Sequence, residues 1–417
     1  MKNILTTAGI AAVAVAGFQT QCAAQAVSVD DSKWWHVSAA LRGFYDDNYT
    51  IAPKNLARES FGFEIRPGFD VGHQGEQYIV KLSGYYSGRW FEDRDDEQWD
   101  HGFMADANGE YRFTENHILR FSDNFSYSSE PTLLDRGSTI TLLRADGTNI
   151  RNLGDLKYVG QFTPLFGLEV GYGNTFYDFE NEGAGSYSAL LDRVEHLIKA
   201  ETRWTLTPTL AGILGYWYED VGFTGDEAVA PGLMSDSRDS FSHYFITGAD
   251  YTVSPQCFIS VRGGAQNVTY DGIDGEPDQW NGFGDISTTF EYAEDSFFRV
   301  GGRYGRNRTD FLGPVTPTES IPYTVDQETA VAYGTVSHKL TEQLTARGSA
   351  QLQFGSFNGG LYDNQDEGFY ILGLSLTYEL NQYLALETGY NYDRLDSDDS
   401  QRSYSRNRVF LGVRGQF

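Results

Sequence analysis

His196 to Tyr218 reads HLIKAETRWTLTPTLAGILGYWY. Two alternating runs flank a Thr-Pro turn: His196, Ile198, Ala200, Trp204 and Leu206 share one face of the first, while Lys199, Glu201 and Arg203 share the other. The same plan returns around a Ser-Pro turn in HYFITGADYTVSPQCFISVRGGA, His243 to Ala265. These are paired antiparallel strands of about ten to thirteen residues, a length that suits a tilted membrane crossing better than the ~5–6 residues of a globular strand. A soluble β-sandwich or solenoid also alternates, but its outward face would not carry so many paired aromatics.

Outward from that stretch, looser turns of the same kind lie at HQGEQ (73–77), TENH (114–117), TPLF (163–166), AEDS (293–296), TEQL (341–344) and NQ (381–382). Between them run long connections rich in Asp, Gly, Ser and Asn: 47–58, 92–100, 128–155, 178–191, 222–238, 270–279, 309–327, 357–368 and 395–405. Short and long connections alternate along the whole chain. The fold class this implies is all-β: a transmembrane, antiparallel, up-and-down β-barrel of about 18 strands, with short periplasmic turns and long extracellular loops. Aromatics at strand ends, among them Trp90, Phe113, Trp204, Tyr218, Tyr292 and Tyr378, fit the girdles of such a wall.

The composition agrees. Gly (46 residues), Tyr (27) and Phe (28) are abundant and Pro (11) is scarce, as long strands require. Mean hydropathy is below zero, which a barrel allows because only one face of each strand meets lipid. Lys2, the apolar stretch Ile4–Phe18 and the small-residue site Ala24-Gln25-Ala26 read as a secretory signal peptide over residues 1–26, leaving a barrel over 27–417. Cys22 follows Gln21, a poor match to a lipoprotein site. Loss of that segment removes one lysine and no acid, so the formal charge moves from −27 to −28. Such a chain is no nucleic-acid binder. Only Cys257 remains, so no intrachain disulfide forms. The expected location is the outer membrane of a Gram-negative bacterium.

The last strand, NRVFLGVRGQF (407–417), turns Val409, Leu411, Val413, Gly415 and Phe417 one way, so it is expected to close the barrel against the first strand in lipid. Gly412 and Phe417 resemble part of the signal read by the barrel-assembly machinery, although Gly415 stands where a second aromatic is expected. The run LLDRVEHLIKAETRWTLTPTLAGILGYWYED (190–220) and the ending SRNRVFLGVRGQF resemble the β-barrel porin type 2 family of Gram-negative bacteria. The shared features are a Leu-Asp-Arg entry to a strand, a Ser/Thr-Pro turn and an Asn-Arg opening to the last strand. That resemblance implies an outer-membrane pore, with some relatives tied to exopolysaccharide export. No N-terminal plug or fused periplasmic domain is apparent.

The strand register turns about sixteen basic and about fourteen acidic side chains inward. Pore-lining candidates on the first half of the wall are Arg42, Arg66, Arg112, Arg193, Glu195, Glu201 and Arg203. On the second half they are Arg262, Asp285, Glu291, Arg299, Arg303, Lys339, Arg347 and Arg414. Arg262, Arg299, Arg303, Lys339 and Arg347 either form a basic strip for anionic solutes or simply pair with Asp285 and Glu291. The third outer loop, 128–155, is the longest and is expected to narrow the channel through Asp135, Arg136, Arg144, Asp146 and Arg151. Most of the net negative charge then falls in outer loops such as EDRDDEQWD (92–100), DGIDGEPD (271–278) and DRLDSDD (393–399). These either are solvated caps or bind Ca²⁺ or Mg²⁺ weakly at a lipopolysaccharide-coated surface. They form an acidic mouth that attracts cations at low salt.

No cofactor and no catalytic site is expected. The sequence has no Gly-x-Ser-x-Gly elbow and no His-Glu-x-x-His. His196 and His243 recur twelve residues before a turn proline, but they share the outward face, so repeat geometry explains them better than a metal site. Three functions remain: a passive pore for small hydrophilic solutes, an exopolysaccharide-export barrel with periplasmic partners, or a closed barrel that binds through its acidic loops.

Overall fold

The computed structural model describes residues 33–95, 97–129, 147–272, 279–293, 295–309, 312 and 323–417, with the backbone alone of 132–134 and 143–145. The expected signal peptide lies outside the described residues. Eighteen strands form one antiparallel sheet. In chain order the first nine are β1 Trp35–Asp46, β2 Ser60–Gln74, β3 Tyr78–Phe91, β4 Trp99–Thr114, β5 His117–Ser128, β6 Asn149–Gln161, β7 Phe166–Phe179, β8 Arg193–Thr207 and β9 Leu210–Phe223. The rest are β10 Ser240–Ser254, β11 Cys257–Tyr270, β12 Gln279–Ala293, β13 Ser296–Asn307, β14 Asp326–Lys339, β15 Leu344–Asn358, β16 Asp366–Asn381, β17 Leu384–Ser397 and β18 Tyr404–Gln416.

Each strand pairs with its chain neighbours, and β1 also pairs with β18 from Ser38↔Gln416 to Asp46↔Arg408. The sheet therefore has no free edge, which removes the row of unpaired backbone groups that lipid could not satisfy. The Thr-Pro and Ser-Pro turns join β8 to β9 and β10 to β11. A register shift marks each, between Thr205 and Thr207 and between Thr252 and Ser254.

The wall is inverted relative to a soluble barrel. Leu41, Leu214, Leu374 and Leu411 stand exposed on its outside, while Glu64, Glu201, Asp250 and Glu387 are buried within. Lipid on one side and a wet interior on the other make that arrangement favourable. Polar groups on the outer wall are provided for locally. Thr202, Thr247, Thr288 and Thr388 each donate a hydroxyl proton to a carbonyl of the adjacent strand, at 3.1, 3.4, 2.9 and 2.9 Å.

His196 and His243 lie on the outer wall, each beside a tyrosine hydroxyl: Tyr172 at 2.8 Å and Tyr216 at 2.7 Å from Nδ1. The same pairing joins His73 to Tyr78, His101 to Tyr86, His117 to Tyr158 and His338 to Tyr292. His101, His196 and His243 sit toward the loop end of their strands; His73, His117 and His338 sit at the turn end. These flat, amphipathic pairs suit the two membrane interfaces.

Candidate functional site: the charged lumen

Inner positions differ sharply between the two sides of the barrel. From β8 to β12 they carry a packed cluster of Leu197, Trp217, Tyr244, Ile246 and Phe283. The Trp217 and Phe283 rings meet edge-on at 5.3 Å, and the Trp217 indole donates to Glu201 at 3.1 Å. Tyr244 donates to Glu219 at 2.9 Å, and Arg308 holds the same carboxylate at 3.0 Å. Around this cluster Arg262 bridges Asp250 (2.8 Å) and Glu201 (3.3 Å), and Arg203 also contacts Asp250.

Outer loops close over the same side. The short helix α1 (Tyr187–Leu191), the hairpin Ala228–Ala230 with Leu233–Met234, and residues 312 and 323–325 share a core of Ala189, Val229, Leu312, Tyr323 and Val325. Arg238 ties the loops by donating to the Leu190 carbonyl at 2.6 Å and the Thr309 carbonyl at 2.9 Å. The Leu191-Asp192-Arg193 entry to β8 is the hinge of this cap. Leu191 packs on Tyr177 and Phe179, Asp192 accepts the Phe179 N–H at 2.7 Å and the Ser188 hydroxyl at 2.6 Å, and Arg193 lies 4.0 Å over the Tyr177 ring. Burial pushes the Asp192 carboxyl up to about 6 despite those two hydrogen bonds, with Asp178 and Glu227 adding to the rise. Burial likewise raises Asp239, which accepts the Phe223 N–H in the equivalent latch after β9.

The other side holds a cavity of about 280 Å³ between β1–β6 and β15–β18, lined by Arg42, Arg66, Arg89, Arg151, Arg406 and Arg408 against Glu64, Asp100 and Asp393. Its wall is a chain of ion pairs. Glu64 takes Arg42 and Arg89, both at 3.2 Å, and Glu387 takes Arg42 at 2.6 Å and Arg414 at 3.3 Å. Asp46 takes Arg406 at 2.7 Å and Arg408 at 3.0 Å across the β1–β18 seam. Arg66 lies 3.7 Å over the Tyr85 ring. Arg151, only 2% exposed, donates to Asn124 at 3.1 Å, and its Nε has no hydrogen-bond partner. No carboxylate among the described residues pairs with it.

The first outer loop covers this cavity. Asn48 ties it down by donating to the Ala52 carbonyl (2.8 Å) and the Ser405 carbonyl (3.0 Å). Tyr49 packs with Phe44 and Phe91, and Ile51 with Phe369, Leu395 and Tyr404. Ile51 has φ 46°, costly for a β-branched residue, and lines the cavity.

The expected constriction is corrected in part. Asp135, Arg136 and Asp146 lie outside the described residues, and only the backbone of Arg144 is described. Arg151 is not on a loop: the Asn149-Ile150-Arg151 segment alternates in register with β5 and already belongs to β6. Among the described residues, the loop that folds over the cavity is the first one, through Tyr49 and Ile51. The basic strip is also redrawn. Arg262 faces Asp285 in register but turns to Asp250 and Glu201. Arg299 donates to Thr289 at 3.2 Å, Arg303 lies 5.2 Å over Phe283, and Lys339 reaches Asp295 at 3.5 Å. Arg347 stands opposite Ser337 and Ser375. Among the described residues neither Asp285 nor Glu291 forms an ion pair with them. Arg112 and Arg193 pair with their own strand's Glu110 and Glu195, at 2.6 and 2.7 Å.

Arg89, Arg406 and Arg408 join the lining candidates, and parity alone places them there, since they share faces with Ser87, Phe410 and Gly412. Gly412 has a structural reason: a Cβ there would meet the Leu41 carbonyl at 2.6 Å and the Arg42 side chain at 2.5 Å. Phe417 lies past the end of β18 with its ring 6.3 Å from that of Tyr383. Among the described residues no group of three His, Cys, Asp or Glu side chains is placed to hold a metal ion.

Residues 328–417, from β14 to the last strand, match the family model described as "Putative beta-barrel porin 2". That segment includes the SRNRVFLGVRGQF ending; Leu190–Asp220 lies outside it. No curated protein matches the chain. Among solved structures, the outer membrane protein OpdK of Pseudomonas aeruginosa is 12% identical, with 92% of this chain and 99% of that one covered and a TM-score of 0.45. OccAB4 of Acinetobacter baumannii is 12% identical over the same shares, with a TM-score of 0.42. A mutant of the ferric enterobactin receptor PfeA of Pseudomonas aeruginosa is 10% identical, with 91% and 80% covered and a TM-score of 0.42.

Proposed function

We propose that this porin-like barrel is an outer-membrane channel for passive diffusion of small hydrophilic solutes, and that small acidic solutes pass best. The observation that carries this reading is the arginine-lined cavity of about 280 Å³ between β1–β6 and β15–β18, against only about 10 Å³ among Arg238, Arg306 and Arg308 on the packed side. An eighteen-strand barrel has room for water where side chains do not fill it. Guanidinium groups fixed on its wall replace part of the hydration of a carboxylate without chemistry. Arg151 supports the acidic preference, because its buried Nε lacks a partner.

The acidic outer loops oppose this preference from a distance. Their field is screened within about 10 Å at 0.1 M salt, whereas the lining arginines act on a solute in contact. The chain is therefore cation-preferring at low salt and shifts toward anions as salt rises. Liposomes that contain the refolded protein test the proposal through osmotic swelling. Entry of a sugar acid faster than its neutral parent sugar supports the reading. Equal rates refute the acidic preference, and no swelling with either solute refutes the channel.

A further inference from the structure

The outer wall of β5–β7 breaks the apolar pattern of the rest of the barrel. On β5 the outward residues are Leu119, Phe121, Asp123, Phe125 and Tyr127, which puts a carboxylate in mid-strand with apolar neighbours toward both ends. The amide of Asn152 on β6 donates to it at 2.9 Å. Asn174 on β7 faces the same way and reaches His196 at 3.3 Å. Residues opposite Asp123 are Ala107 and Gly154, so the polar groups stand in a shallow part of the wall. Other outward acids of the described strands, such as Asp178, Asp220, Glu328 and Asp396, sit at the loop ends.

A carboxylate against acyl chains is unfavourable, and one amide does not satisfy its lone pairs. The geometry points to this face as an interface between two copies of the chain in the membrane. The occupant follows from the donors. A partner must bring hydrogen-bond donors to Asp123, and the mid-wall threonines of the other strands already donate to carbonyls. The Asn174 amide already reaches the Glu195 carbonyl and His196, but Asn152 gives Asp123 only one of its two N–H groups, so a second copy about a two-fold axis brings the other to the facing Asp123. Small residues at the contact allow the close approach that helps association in lipid. The pair buries the carboxylate among amides and leaves each arginine-lined cavity within its own barrel.

Disulfide trapping in native outer membranes tests this with the full chain. Asn152→Cys in a Cys257→Ser background is expected to give an oxidant-dependent species of twice the chain mass, while Leu374→Cys in the same background, on the far wall, stays monomeric. Native mass spectrometry of the detergent-extracted protein is expected to show a dimer whose dissociation constant rises at least about ten-fold in Asp123→Leu. Heat-shifted gel mobility establishes that each variant is folded. A folded wild-type monomer, a cross-link from position 374 instead of 152, or a cross-linked species of another mass would each overturn the proposal. An Asp123→Leu dimer of unchanged affinity would do so as well.

Discussion

Between β8 and β14 the inner positions include the packed residues Leu197, Trp217, Tyr244, Ile246, Phe283 and Tyr333, with folded loops above them. Between β15 and β6, across the seam, the same positions are Arg406, Arg408, Arg42, Arg66, Arg89 and Arg151 around open space. Apart from the polar patch around Asp123 on β5–β7, the outer wall does not differ in kind between the two sides, and neither does the backbone pairing. Lipid therefore dictates one parity of every strand, and the other parity is free to be either a core or a channel wall. On the packed side the sheet is buttressed from within by apolar contacts, with the Arg262 and Arg308 ion pairs set around them. On the open side it is held by ion pairs around Glu64, Glu387 and Asp46.

Breaking those supports one at a time sharpens the contrast. The largest effect is expected from Asp46→Ala, which leaves Arg406 and Arg408 without their shared carboxylate. Loss of one partner from a buried pair costs about 3–5 kcal/mol, measurable by denaturant unfolding of the lipid-embedded protein. A cost near zero would mean that water already holds the seam. Trp217→Ala should cost about 3 kcal/mol through lost packing, and should leave ion selectivity unchanged because the proposed solute path lies on the other side. A selectivity change in that variant would erase the distinction between the two sides. Arg151→Gln should leave unfolding little altered but lower the anion preference in reversal-potential measurements by about five-fold, or about 1 kcal/mol.

The smallest effect concerns the loop latch on the packed side. Asp192 is raised above its ordinary 3.8 to about 6, so its contribution to holding the loop is complete below the lower value and is lost as pH rises through the upper one. Hydrogen-exchange protection of the Phe179 amide should therefore be greater near pH 4 than near pH 8, a difference that falls on the linkage curve of a single carboxyl. Asp192→Asn should flatten that dependence. A dependence that persists in Asp192→Asn would assign it to other acids of the cap.

Strand number, closure and the two faces were readable because the outward parity is written in residues such as Leu372, Leu374 and Leu376, whose period of two has no competing explanation. The nine long connections were readable as gaps in that period. The start of β6 was not, since Asn149 and Arg151 are polar inner residues at a strand end and look like loop. The same limit explains the Arg262 error. Register puts Asp285 opposite it, but a long guanidinium stem can reach Asp250 on the neighbouring β10 and, past β9 and β10, Glu201 on β8. Nor does alternation say which inner face is filled, because Trp217 and Arg89 occupy equivalent positions in the pattern. The inward fold of Tyr49 and Ile51 left only a faint trace, because the loop also carries apolar residues such as Leu56 that stay exposed.

The most direct test is single-channel current through the refolded mature protein in a planar bilayer under a salt gradient, with wild type, Arg151→Gln and Arg262→Gln compared. The account predicts steady open steps, a reversal potential that moves toward anions as salt rises, and a selectivity change in Arg151→Gln but not in Arg262→Gln. Silent membranes from protein whose folding is established by gel mobility, or a selectivity governed by Arg262, would contradict it.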